Sequence, residues 1–247
     1  MTALAPEAAL HPSESGRRRY PPTTMVGPVE AQAARTPSAP ALVLAGGGAV
    51  TYRELNASAN RLARALTARG ARPGAVVGLT GGRAPAELVT ALLAVAKSGA
   101  AYLPLDPTDA PGRLERLLAE HEPVFVLGEA GVDGLPADGA LATDPPRALT
   151  PQHPFCVGLG PGGRPQAVRL THAEADRRVR DLQAAHPLGP GDRVLQLGLP
   201  LWEFLWPLRA GAAVALADPR RPGEVGALVR ELGVTAIRVA PGVLLDG

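Results

Sequence analysis

An α/β fold with mostly parallel sheets flanked by helices is predicted from two patterns. Short apolar runs of strand length alternate along the chain with longer stretches of helical apolar spacing. Two of those stretches open on a helix-start signature, Thr51 with Glu54 three residues on and Thr171 with Glu174 three residues on. Strands separated by helices are joined by crossovers, and crossovers make neighbouring strands parallel, with the helices lying on the sheet faces.

The elements follow in order. Residues 1–27 mix Ala, Pro, Ser, Thr and Arg without periodicity and read as a disordered tail or linker remnant. Within them Arg17, Arg18 and Arg19 read as solvated linker charge rather than a contact patch. Val29 to Arg35 is a short helix stopped by Pro37. Ala41 to Leu44 is a strand, turned back by Gly46, Gly47 and Gly48. Thr51 caps a helix whose buried stripe is Leu55, Ala59, Leu62 and Leu66, ended at Gly70. Val76 to Thr80 is a buried strand. Pro85 stands in the first turn of the next helix, with Leu88, Leu92 and Val95 as its apolar face and Gly99 past its end. Strand (Ala101 to Leu103), helix (Arg113 to Glu120) and strand (Pro123 to Leu127) complete a first lobe over 28–127.

Residues 128–153 are rich in Gly, Pro, Asp and Ala and read as a linker. A second lobe over 154–247 repeats the alternation. Its strands are Phe155 to Gly158, Ala167 to Leu170, Arg193 to Leu197, Ala213 to Ala217 and Val234 to Ala240. Its helices run from Thr171 to about Ala185, from Trp202 to Leu208 and from Gly223 to Leu232.

Composition narrows the classes. The 247 residues are 46% hydrophobic but only 3% aromatic, with 29 Gly and 27 Pro, so the core is built from Ala, Val and Leu. A net charge of +2 gives no footprint for nucleic acid or an anionic membrane. One cysteine, Cys156, excludes an internal disulfide and fits a reducing compartment. The sequence has no apolar run of membrane-spanning length and no continuous hydrophobic leader, so the expected location is the cytoplasm.

The chemistry centres on Phe155 to His172: a strand, a loop of Gly and Pro, a second strand, and a helix opened by Thr171. Backbone amides in such a loop can converge on an anion, and glycine lets them come close. Between Gly158 and Gln166, however, there is no Ser, Thr or Lys. The hydroxyls that ligate phosphate or metal and the ammonium that neutralises charge are both missing.

The loop resembles the nucleotide-binding motif of adenylate-forming enzymes, in particular the amino-acid adenylation domains of nonribosomal peptide synthetases. That motif reads Thr-Ser-Gly-Ser-Thr-Gly-x-Pro-Lys-Gly-Val, followed by an apolar stretch and Thr-His. Gly160, Gly163, Pro165, Val168, Thr171 and His172 match it. Gly158, Leu159, Pro161 and Gly162 stand where the family has its four hydroxyls, Gln166 where it has its lysine, and Ala167 where it has the glycine after it. Other segments carry the resemblance further. Val50 to Leu66 is similar to the family's first core motif, and Leu92 to Pro107 to the second nearly residue for residue. Trp202 to Gly211 looks like the region that opens the amino-acid pocket. Tyr20 to Pro37 resembles the linker that joins a condensation domain to an adenylation domain.

The resemblance implies the N-terminal subdomain of the adenylate-forming fold, partial, with the small C-terminal lobe absent. It implies Gly160, Gly162, Gly163 and Gln166 as a vestigial ATP loop and Trp202 as a vestigial substrate-pocket residue. The family's Phe-Asp pair, whose aspartate binds the substrate ammonium, has no counterpart in the run from Val194 to Glu203. An ammonium buried without that partner is costly. Arg164 falls at a variable position of the motif and Arg169 reads as a surface strand residue, so neither replaces the lysine. His172 either meets a phosphate or packs locally at its helix start; Cys156 reads as an inert buried thiol; Asp106 and Asp218 read as turn or cap residues. No catalytic or metal-ligating set can be named.

The expected function is therefore that of a truncated, degenerate adenylation domain, catalytically inactive and serving as a scaffold or interaction remnant of peptide biosynthesis. One half of a split adenylating enzyme, completed by another chain, is the alternative; an autonomous amino-acid ligase is the third reading. ATP and magnesium enter only if residual family function survives. The partners the resemblance implies are a peptide-synthetase module, a second adenylation fragment or a small MbtH-like protein. Loss of covering elements also predicts an exposed apolar face.

Overall fold

The computed structural model describes residues 2–4, 23–80, 84–106, 109, 111–128, 143–145, 148–159, 167–197, 201–216 and 225–239. In chain order the elements are β1 (Thr2–Leu4), α1 (Gly27–Arg35), β2 (Pro40–Leu44), β3 (Ala49–Thr51), α2 (Tyr52–Ala68), β4 (Val76–Thr80), α3 (Pro85–Ser98), β5 (Ala101–Leu105), α4 (Pro111–His121) and β6 (Phe125–Leu127). There follow β7 (Pro154–Leu159), β8 (Ala167–Thr171), α5 (His172–Ala185), β9 (Arg193–Leu197), a 3-10 turn (Leu201–Phe204), α6 (Leu205–Ala210), β10 (Ala213–Leu216), α7 (Val225–Glu231) and β11 (Ala236–Val239).

The expected alternation is present, and most strand pairs are parallel. Two pairs are antiparallel, β2 with β3 and β7 with β8. Both join strands that are neighbours in sequence and only a few residues apart, so a long crossover is not needed.

Two sheets result, and they cut across the expected boundary. One has the order β1-β11-β9-β10-β2-β3, the other β6-β4-β5-β7-β8. Each sheet thus takes strands from both sides of residues 128–153. Tyr102 of β5 pairs with Cys156 of β7, and Val214 of β10 pairs with Leu42 of β2. A single large core cluster runs from Met25 through Leu92 and Phe155 to Trp206 and Ala236. Lobes at 28–127 and 154–247 are therefore not separate packing units. Parallel pairing is non-local, so the order of elements in the chain does not reveal which sheet a strand joins.

α3 explains how the halves are held together. Its expected face was Leu88, Leu92 and Val95. Every residue from Ala91 to Ser98 is buried, including Lys97. A helix enclosed on all sides is apolar on all sides, and the run Ala-Leu-Leu-Ala-Val-Ala supplies that. Gly99 ends it at φ +87°, and a Cβ there would stand 2.8 Å from Cγ of Pro73. Only glycine meets both requirements.

Of the segment expected to be a disordered tail, 1–27, residue 1 and residues 5–22 lie outside the described residues. Thr2–Leu4 pairs in parallel with β11. Met25 and Val26 are buried in the core, and Gly27 already belongs to α1. The exposed apolar face is also not found among the described residues, where the exposed large hydrophobics are Val124 at 47% and Val126 at 42%, both at the β6 edge. No described helix is long and apolar enough to cross a membrane.

Candidate functional site

The segment around the glycine loop is built from β7, β8 and α5. Leu159 pairs with Ala167 and Gly158 with Val168, so the hairpin is closed up to the ends of the loop. Residues 160–166 between them, and with them Gly160, Gly162, Gly163 and Gln166, lie outside the described residues. Asp218 does as well. The flanks are well defined. The Thr171 hydroxyl accepts from the Glu174 amide at 3.2 Å, while the Glu174 carboxylate accepts from the Thr171 amide at 2.8 Å. Those bonds, the backbone one foremost, hold the Glu174 carboxyl below its usual range. α5 therefore starts at a fixed point immediately after β8.

His172, the next residue, is fully buried. Its Nδ1 accepts a hydrogen bond from the amide of Met25 at 3.1 Å, and its ring stands 4.9 Å from that of Phe155. Of the two readings the sequence left open, the geometry realises local packing: Nδ1 is committed to the backbone of residues 23–26. Arg169 is exposed on β8, as expected. Cys156 is partly buried, and burial pushes its thiol up to about 11, the behaviour of an inert thiol at neutral pH. Burial, with Cys156 beside it, also pushes the Tyr102 phenol up.

Trp202 sits on the 3-10 turn between β9 and α6, 7% exposed, within the main core cluster. Beside it Glu203 forms a buried ion pair with Arg238 of β11, Nε to Oε2 at 2.7 Å, and its backbone carbonyl accepts from Gln196 Nε2 at 2.9 Å. Among the described residues the neighbourhood of Trp202 is thus packed, with its charges paired.

Three polar clusters escaped sequence reasoning. The Glu203–Arg238 pair is one. A second is centred on Asp176, which is 2.5 Å from Arg209 Nη1 and 2.9 Å from Arg180 Nε and accepts from the Thr23 hydroxyl at 3.0 Å. The third is Lys97, whose Nζ is 2.5 Å from Glu30 Oε1 and 2.9 Å from Asp144 Oδ1. Asn56 and Asn60 also donate to Asp144, each at 3.1 Å. A shallow cleft of ≈ 180 Å³ lies over this cluster, lined by Glu30, Arg53, Asn56 and Asp144 among others. Each cluster joins residues far apart in sequence, so no local pattern announces it.

From Gly158 to Gln166 the sequence offers backbone amides, the Arg164 guanidinium and the Gln166 amide, with no hydroxyl and no ammonium. Among the described residues no group of three His, Cys, Asp or Glu is placed to hold a metal ion.

Comparison with known proteins agrees with the motifs. A family model described as AMP-binding enzyme matches residues 29–156. The chain is 36% identical over 87% of its length to phosphinothricin tripeptide synthetase PhsB of Streptomyces viridochromogenes. It is 36% identical over 93% of its length to CymA of Salinispora arenicola, described as a probable non-canonical nonribosomal peptide synthetase. It is 32% identical over 91% of its length to enterobactin synthase component F of Escherichia coli. It spans only 20%, 3% and 19% of those relatives' lengths. Among solved structures, the nonribosomal peptide synthetase FmoA3 with AMPPNP bound superposes with a TM-score of 0.77 at 29% identity, over 90% of this chain and 26% of that one. CmiS6 shares the fold, with a TM-score of 0.75 at 24% identity, over 94% of this chain and 62% of that one. With the family model matched over 29–156 of 247 residues, the chain belongs to the AMP-binding enzymes, and what it holds is a portion of an adenylation domain of the nonribosomal peptide synthetase kind.

Proposed function

We propose that these 247 residues do not adenylate an amino acid and act instead as a scaffold or interaction unit within peptide-synthetase machinery. One observation carries the reading: the run from Gly158 to Gln166 holds no Ser, Thr or Lys. Adenylation brings a carboxylate in line with an α-phosphate while the phosphate charge is neutralised. Charge-assisted hydrogen bonds are roughly twice as strong as neutral ones, so Gln166 in place of an ammonium is a large loss. The position of Trp202 supports the same reading, since its turn is filled by core side chains and by the Glu203–Arg238 pair.

ATP–pyrophosphate exchange, measured on the purified chain across the proteinogenic amino acids, tests the proposal. Background exchange for every amino acid is expected. Exchange by the chain alone would overturn the proposal. Exchange that appears only on adding a second, co-purifying chain would replace it with the split-enzyme reading.

A further inference from the structure

Residues 143–145 lie outside any helix or strand, yet each of the three is held against the helices. The Thr143 carbonyl and hydroxyl both accept from Arg64 Nη2 of α2, at 3.0 and 3.1 Å. The Asp144 carboxylate accepts from Lys97 Nζ of α3 at 2.9 Å and from the Asn56 and Asn60 amides of α2 at 3.1 Å each. Pro145 is buried. The helices that carry these groups are joined through the main core cluster, which takes in Val29 of α1, Leu55 and Ala59 of α2, and Leu92 and Val95 of α3. The receiving groups are thus positioned by the core, and a preformed site holds a ligand at low ordering cost.

We propose that this surface of α2 and α3 is a recognition site for a short aspartyl peptide, filled in cis by Thr143–Pro145 and able to take the same tripeptide in trans once the Asp144 carboxylate is removed. Selection comes from the anion. One fully buried ammonium and two side-chain amides converge on it, and charge-assisted hydrogen bonds are roughly twice as strong as neutral ones. Direction comes from Arg64, which grips the residue before the aspartate by both backbone and hydroxyl. The Asp144 side chain stays 44% exposed and borders the cleft of ≈ 180 Å³, so a ligand exchanges without opening the core. Removing Asp144 leaves Lys97 its second carboxylate, Glu30 at 2.5 Å, so the vacated site keeps its cation paired. None of these residues belongs to the glycine loop, so peptide binding and adenylation are separate properties.

A tethered segment competes at an effective concentration of about millimolar, so the wild-type site excludes free peptide below that level. Thermal unfolding of the whole Asp144→Ala chain, titrated with N-acetylated, C-amidated Thr-Asp-Pro, tests the proposal. The midpoint should rise saturably, by a few degrees at about tenfold the half-saturating concentration. Wild type should move far less over the same range. Half-saturation by the matching Thr-Asn-Pro peptide should need about tenfold more or beyond, because the charge is lost. Adding Asn56→Ala to the variant should raise half-saturation by Thr-Asp-Pro severalfold. No rise with Thr-Asp-Pro, an equal rise with Thr-Asn-Pro, an equal rise in wild type, or half-saturation unmoved by Asn56→Ala overturns the proposal. An equal rise with sodium acetate at matched ionic strength overturns it too, since the site would then read a carboxylate and no peptide. If Asp144→Ala does not fold, Asp144→Asn, which keeps the segment's shape and loses its charge, is titrated in its place with the same outcomes.

Discussion

Lys97 and Asp144 meet at 2.9 Å, the ammonium fully buried at the end of α3 and the carboxylate on a short segment outside any helix or strand. Glu30 of α1 closes on the same ammonium, and Asn56 and Asn60 of α2 on the same carboxylate. One buried cation therefore joins three helices and pins residues 143–145 against them. A buried charge is tolerated only when paired and hydrogen-bonded, and this one is.

Lys97→Met should accordingly destabilise the chain by about 3–5 kcal/mol, because it leaves two carboxylates without their cation. Urea unfolding of the two proteins measures it through a lower midpoint at unchanged slope. The loss should be smaller in the triple variant Lys97→Met, Glu30→Gln, Asp144→Asn.

Acid should weaken the same junction. Burial opposes the charged form of Asp144, but Lys97 and the amides of Asn56 and Asn60 outweigh it and hold the carboxyl below its usual range. A carboxyl lowered in the folded state binds its proton later than in the unfolded chain. Its contribution is complete above about pH 4, the unfolded value, and is lost as pH falls through the lower folded value. The stability difference between wild type and Asp144→Asn should therefore shrink below about pH 4.

The Glu203–Arg238 pair gives a cycle with a clear sign. Either Glu203→Gln or Arg238→Met alone should cost about 3–5 kcal/mol, since each strands a buried charge. Glu203→Gln with Arg238→Met together should cost far less than the sum of the two single losses. Denaturant midpoints of the four proteins measure the coupling.

Glycine substitutions separate backbone strain from crowding. Gly47 and Gly99 both have positive φ, at +91° and +87°. A Cβ at Gly47 meets nothing within 4 Å, so Gly47→Ala should cost only the left-handed penalty of about 1–2 kcal/mol. Gly99→Ala adds the collision with Pro73 and should cost more, read as a larger drop in thermal midpoint.

Local signals carried most of the elements. The Thr51–Glu54 and Thr171–Glu174 boxes are present with both reciprocal bonds, and α5 ends at Ala185 as its spacing implies. What escaped is non-local. Lys97 reads in sequence as an ordinary charge near a helix end, and only the approach of Glu30 and residue 144 makes it an anchor. Thr23 to Val26 look unstructured because the groups that order them, His172 and Asp176, are about 150 residues away. The motif around residues 155–172 was legible as chemistry that is missing, since the absence of Ser, Thr and Lys needs no coordinates.

Calorimetric titration of magnesium–ATP into the purified chain tests the central claim most directly. With no hydroxyl or ammonium between Gly158 and Gln166, no saturable heat is expected. Saturable binding in the micromolar range, abolished by substitutions within 160–166, would contradict it.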